Sequence, residues 1–207
     1  MRKHTTQHKK GFTLVEMIVS IGLFTIVLFI ASSAFLAVLN ADRKSRATRI
    51  AIDNLNLSLE DMSRRIKTGT MYNCGAVGGP TDVNPCPYPG LAILAITDQD
   101  NQRVIYKRGV GTGAITTGNG ASGCGSALFL ATQGCLIRDK AGSALAVTGK
   151  DIDIQNLRFV VNGTAPFSSS DVVQPYVVVL VDGVTTAGKI SSTFKLQTTI
   201  TQRMYDI

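Results

Sequence analysis

The stretch from Met17 to Leu39 holds no charge and no proline, and it is rich in Ile, Val, Leu and Phe. A helix of about 20 apolar residues crosses a bilayer, whereas the apolar region of a cleaved secretory signal runs to only about 7–15 residues before an A-x-A-like site. This run is too long for the second class, and no such site follows it. Ser20, Thr25, Ser32 and Ser33 interrupt it with small hydroxyls only, and Gly22 is tolerable because a transmembrane helix satisfies its backbone internally. The run therefore predicts a membrane-spanning helix.

The formal charge of +7 includes Arg2, Lys3, Lys9 and Lys10, which all precede the apolar residues; without them it is +3. That excess does not argue for a nucleic-acid partner. The two histidines, His4 and His8, share the same leader. A chain without them lacks the commonest general base and metal ligand, which argues against hydrolase and zinc-site chemistry. Leader cations favour a cytoplasmic N-terminus. Arg43, Lys44, Arg46 and Arg49 flank the other side, offset by Asp42.

Four cysteines, Cys74, Cys86, Cys124 and Cys135, are spaced C-x11-C, a long gap, then C-x10-C. Zinc knuckles and thioredoxin-like sites need C-x2-C. An even count in Gly-rich surroundings points to two disulfides and an oxidising compartment, with buried free thiols as the alternative. Three pairings are open; neighbour pairing is preferred because each pair brackets a short loop. Disulfides would place the C-terminal part outside the cytoplasm.

Beyond the apolar run, Ile52, Leu55, Leu59, Met62 and Ile66 recur at steps of three and four, one face of a helix. Gly69 is the expected stop. A single helix from about Phe12 to about Lys67 would be on the order of 80 Å long. Its first half needs lipid or other chains around it, and its second half carries a stripe for a sheet.

Glu16 lies within the apolar segment, where an ionisable group is costly and a candidate for function. The plainer reading is an interfacial carboxylate reaching water. Its neighbours favour the first. Lys9-Lys10-Gly11-Phe12-Thr13-Leu14-Val15-Glu16 resembles the signature of type IV prepilins and of type II secretion pseudopilins: a basic leader ending in Gly, Phe-Thr-Leu-Val-Glu, then an apolar helix. The resemblance covers roughly residues 1–40. It implies cleavage after Gly11 by a prepilin peptidase, methylation of the new Phe12 amine, and pairing of Glu16 with the terminal amine of an adjacent subunit. The mid-helix proline of many major pilins is missing from Ala31 to Phe35, which leans towards a minor or pseudopilin-type subunit.

After Gly69 the texture becomes β-like. Cys74 to Pro89 reads as a Gly/Pro loop. Leu91–Ile96 and Arg103–Lys107 flank Thr97-Asp98-Gln99-Asp100-Asn101-Gln102, a predicted hairpin. Gly109 to Gly125 reads as a loop, and Leu128–Leu130 and Cys135–Arg138 as short strands. Ile152–Val161, Tyr176–Val181 and Thr193–Thr201 read as longer strands, with Val177–Val181 apolar throughout as if buried on both faces. The hairpin, cysteine loop, final strands and the closing segment from Leu196 to Arg203 resemble, more weakly, J-type minor pseudopilins.

Other motifs carry blander readings. Gly118-Asn119-Gly120-Ala121-Ser122-Gly123 matches G-x-G-x-x-G but has no strand before it or helix after it. Asp98-Gln99-Asp100-Asn101 lacks the further oxygen ligands and distal Glu of a calcium loop and reads as a polar turn. Asp151 and Asp153 are expected to face solvent. Arg103, Lys107 and Arg108, near Tyr106, read as a solvated strand face in preference to a phosphate-binding patch. Ser168-Ser169-Ser170-Asp171 reads as a turn and not a nucleophile.

The sequence thus predicts an α+β chain: a basic leader over 1–11, a long helix over 12–67 that spans the membrane to about residue 40, and an antiparallel β-rich head over 68–207. The expected function is a structural pilus or pseudopilus subunit, not an enzyme, with no cofactor or metal. Its expected partners are prepilin peptidase, other pilin subunits, the inner-membrane assembly machinery and the lipid bilayer. It is expected in the membrane with its leader cytoplasmic and its head outside, then in the fibre. The alternative is a monomeric single-pass membrane protein whose exposed domain binds a ligand or partner.

Overall fold

A computed structural model describes residues 11–164, 173–187 and 190–203. The leader cations and histidines and the Ser168–Asp171 turn lie outside the described residues. Helix α1 runs from Leu14 to Thr68, close to the span the apolar periodicity predicts. The chain divides into two compact units, 1–43 and 44–207, with the boundary inside α1.

The first unit is the apolar portion of α1. Its most apolar 18-residue window has mean hydropathy 2.5 and buries none of its residues. The helix is long and apolar enough to cross a membrane. Its hydroxyls turn inward to the helix itself: Ser20 donates to the Met17 carbonyl at 3.0 Å, Thr25 to Gly22 at 2.8 Å, Ser32 to Leu28 at 2.8 Å and Ser33 to Ile30 at 2.8 Å. No polar side-chain group among these four needs water, as an apolar solvent requires.

The second unit begins with the remainder of α1. Ala51, Leu55, Leu59, Met62 and Ile66 are buried on one stripe. Ile52, expected there, is 42% exposed instead. At about 100° per residue it lies one step round from Ala51 and leaves the arc that Ala51 to Ile66 define. Ser58 takes a place on that arc, donating to the carbonyls of Val147 at 2.6 Å and Asn54 at 3.0 Å.

The helix stops where a Cβ would not fit. A side chain at Gly69 would meet the Arg65 carbonyl at 2.8 Å. The last helical carbonyls find other donors: Tyr72 Oη reaches Ile66 O at 2.7 Å, and the Arg203 amide reaches Lys67 O at 2.8 Å. These bonds satisfy groups a helix end leaves open, and they tie α1 to the final residues of the chain.

Among the described residues nine strands follow: β1 (Thr70–Cys74), β2 (Cys86–Leu91), β3 (Ile93–Thr97), β4 (Arg103–Val110), β5 (Gly134–Lys140), β6 (Ser143–Ala146), β7 (Ile152–Asn162), β8 (Tyr176–Ala187) and β9 (Ile190–Thr201). They form two antiparallel sheets, ordered β1-β3-β4-β5-β6 and β2-β7-β8-β9. One core joins Met62 and Ile66 of α1 to Leu94, Tyr106 and Leu136 of the first sheet and to Phe159, Val179 and Ile200 of the second.

Several expectations for the strands differ from the structure: the sequence does not foresee β1 and β6, and β8 runs on past Val181 to Ala187. The segment expected to be a single loop from Cys74 to Pro89 begins and ends in strand, because Cys86–Leu91 pairs with β7 despite Pro87 and Pro89; an edge strand tolerates a missing donor. Leu128–Leu130 is a turn and not a strand, with the Phe129 amide bonded to Ser126 O at 3.2 Å. Val177, Val179 and Val181 are buried, but Val178 and Leu180 are only partly so. The apolar run therefore has one core face and one half-open face, because α1 covers only one side of its sheet.

Candidate functional site

The chemistry the sequence singles out lies at the start of α1. Thr13 caps the helix: its Oγ1 accepts from the Glu16 amide at 3.3 Å, and its carbonyl accepts from Met17 N at 3.2 Å. Threonine followed three residues later by glutamate is the capping-box spacing, which satisfies amides that a helix start leaves open. Glu16 also sits in the first turn, where the helix dipole favours a negative charge. Gly11, Phe12 and Glu16 are exposed, Phe12 at 78%. A Cβ added at Gly11 would meet nothing within 4 Å. Packing among the described residues therefore does not demand glycine there.

The two disulfides lie in the second unit. Cys74 is joined to Cys86 with 5.7 Å between Cα atoms, and Cys124 to Cys135 with 6.0 Å. The first ties β1 of one sheet to β2 of the other. The second clamps the loop that precedes β5, with Cys124, Phe129, Cys135 and Ile137 forming a small core of their own.

The basic residues of β4 are not a solvated face. Arg103 donates to Val77 O at 2.8 Å, Met71 O at 2.7 Å and Asp82 O at 3.2 Å. Lys107 is 2% exposed, and its Nζ donates to Gly118 O at 2.7 Å and Gly120 O at 3.1 Å. Arg108 Nε donates to Ile154 O. Burial lowers the pKa of the Arg103 guanidinium, and burial likewise lowers that of the Lys107 amine against the pull of Asp139. Each cation replaces water with main-chain carbonyls. Arg103 and Lys107 hold loops, Arg108 ties β4 to β7, and none is arrayed for phosphates; periodicity alone missed this because it reports alternation along a strand and not what folds over it.

The Gly118–Gly123 segment is accordingly the loop expected of it, wrapped around Lys107. In the β3–β4 turn, Asp98 Oδ1 accepts from the amides of Asp100 at 3.0 Å and Gln102 at 2.9 Å, while Asn101 takes φ 58°. Lys140 Nζ lies 2.7 Å from Asp98 and 3.0 Å from Asp100. The aspartates thus meet a lysine of β5, and among the described residues no group of three or more metal-ligating side chains assembles. Asp151 is exposed, but Asp153 is partly buried and accepts from Gly134 N at 2.7 Å. A second ion cluster, unseen in the sequence, joins Asp61 of α1 to Arg65 at 3.2 Å and to Arg138 of β5 at 2.6 Å. Burial raises the Asp61 carboxyl, but bonds from Arg138 and Arg65 outweigh it and leave the pKa lowered.

Residues 6–32 match the family model described as a prokaryotic N-terminal methylation motif. No curated protein and no solved structure matches the chain. The motif covers Gly11, Phe12 and Glu16 and supports a prepilin-type precursor.

Proposed function

We propose that this chain is a structural subunit of a type IV pilus or of a secretion or competence pseudopilus, processed between Gly11 and Phe12 and assembled through the apolar part of α1. The observation that carries the reading is the coincidence, in one helix start, of the methylation motif over residues 6–32 with an exposed apolar helix. Prepilin peptidase cuts after Gly11 and methylates Phe12. Glycine suits a narrow peptidase site, and no packing among the described residues requires it. The mature chain then sits in the membrane with its head outside. In the assembled fibre, Glu16 meets the amine of Phe12 from the adjacent copy. A low-dielectric surround strengthens that attraction, although desolvation offsets part of it. Only one axial stagger brings the two groups together, so the pair sets register.

The test separates assembly from folding. Glu16→Leu is compared with wild type for N-terminal mass, head disulfides and recovery in sheared fibres together with partner pilins. The expected variant is cleaved and folded but recovered poorly. Normal incorporation would remove the role given to Glu16 and favour a plain interfacial carboxylate. A mature protein that retains Met1 to Gly11 would favour the monomeric single-pass alternative.

A further inference from the structure

The two sheets of the head have four edges, and three are blunted. Strand β1 is only five residues long and already bridges Asn84 through Asn73. Strand β2 carries Pro87 and Pro89, and β6 has only four residues. Proline and shortness are the usual protections of a sheet edge against pairing with another chain. Strand β9 has neither, and of the charges that also guard edges it has a single lysine, Lys195: it runs for 12 residues, contains no proline, and pairs with β8 without a break in register.

The direction of its free groups follows from the ladder. The Gln202 amide donates to Pro175 O at 2.9 Å, immediately beyond the Tyr176–Thr201 pair. Antiparallel pairs alternate between bonded and non-bonded. Thr201 therefore turns its own N–H and C=O away from β8, and so do Thr199, Gln197, Lys195, Thr193 and Ser191. All six are exposed, and none has a backbone partner on the outer side among the described residues.

Beside this edge a groove of about 360 Å³ opens between β9 and α1. Its floor is Leu59 and Leu196, and its rim is Asn56, Glu60, Ser63 and Gln197. An open ladder gives main-chain bonds, and an adjoining apolar floor accepts every second side chain. These are the two requirements of strand addition.

We propose that the β9 edge is a docking site for an extended segment of a partner polypeptide, added as a fifth strand to the β2-β7-β8-β9 sheet. The segment alternates apolar residues, which face the Leu59–Leu196 floor, with polar ones on the open side. Lys195 is the only charged residue of β9, so the segment carries an acidic residue opposite it. The site lies wholly within the second unit, 44–207, and does not depend on the reading of the N-terminus.

The experiment uses the full chain in detergent micelles and a blocked octapeptide that alternates valine with threonine and carries one aspartate. Amide hydrogen exchange is followed strand by strand. The expected result is that the amides of Thr193, Lys195, Gln197 and Thr199 slow by about tenfold or more with peptide, while β2 and β6 do not change. Gln197→Pro removes an outward donor and no β8 bond, and it should abolish the protection. Because that variant could disturb β9 itself, the peptide is also N-methylated on its bonding or its opposite edge. Only the first should lose binding, and aspartate-to-lysine replacement should weaken it several-fold. No protection at the peptide's solubility limit, or protection on another strand, overturns the proposal. Protection that grows with protein concentration in the absence of peptide also overturns it, because the occupant is then a second copy.

Discussion

Lys107 shows how a single residue can hold a loop segment, Gly118 to Gly120, that has no apolar side chain of its own to bury. Its amine is enclosed by the carbonyls of Gly118 and Gly120 and by Thr116 Oγ1 at 3.5 Å. Lys107→Met keeps the length of the stem and removes the charged donor that those carbonyls share. We expect a loss of about 2 kcal/mol in denaturant unfolding, with faster amide exchange confined to residues 111–123. Asp98 supplies a pH dependence. Burial pushes its carboxyl up, but Lys140 and the amides of Gln102 and Asp100 pull it lower still, so its folded pKa lies below the ordinary value. The stability it contributes is therefore present above its unfolded pKa of about 4 and is lost as pH falls through the folded one. Asp98→Asn should cost about 1–2 kcal/mol near pH 7 and little near pH 2, measured by urea titration at both values. Equal losses at both pH values would show that the turn geometry, and not the charge, matters.

At the scale of elements, α1 from Ala51 to Ile66 is the common wall of both sheets. Met62 is fully buried and belongs to the core shared by strands of each. Met62→Ala should cost about 2–5 kcal/mol, and both sheets should lose stability in one transition. Exchange that rises in one sheet alone would contradict a shared core. The two disulfides act on different elements. Replacing Cys74 and Cys86 by serine frees β1 from β2 and should cost about 2–4 kcal/mol globally. Replacing Cys124 and Cys135 should chiefly loosen the loop before β5, since that loop has its separate small core. Thermal unfolding and peptide-resolved exchange of the two double variants distinguish these outcomes.

At the scale of the whole molecule, the first unit is governed by a solvent other than water. Its apolar side chains, among them Phe24 at 62% and Phe29 at 79% exposed, find no cover among the described residues. The full protein should remain with membranes through alkaline carbonate extraction. Leu23→Arg together with Val27→Arg should release or degrade it, because each arginine at mid-span opposes insertion by about 2.5–3.5 kcal/mol. Near the membrane, the helix and the motif at 6–32 were legible from sequence, because apolar length, periodicity and the Gly11–Glu16 spacing are local and each residue acts on its own neighbours. The strand at Ile152–Asn162 was legible for the same reason, as was the first half, Tyr176–Val181, of the strand that continues to Ala187. What the tertiary structure decided were long-range matters. Arg103 and Lys107 look like any alternating polar residues until loops 77–82 and 116–120 close over them. Val177–Val181 reads as doubly buried until α1 is seen to cover only one side of its sheet. The free edge of β9 is invisible in its own residues, because whether a strand is an edge depends on what pairs beside it and not on what it contains.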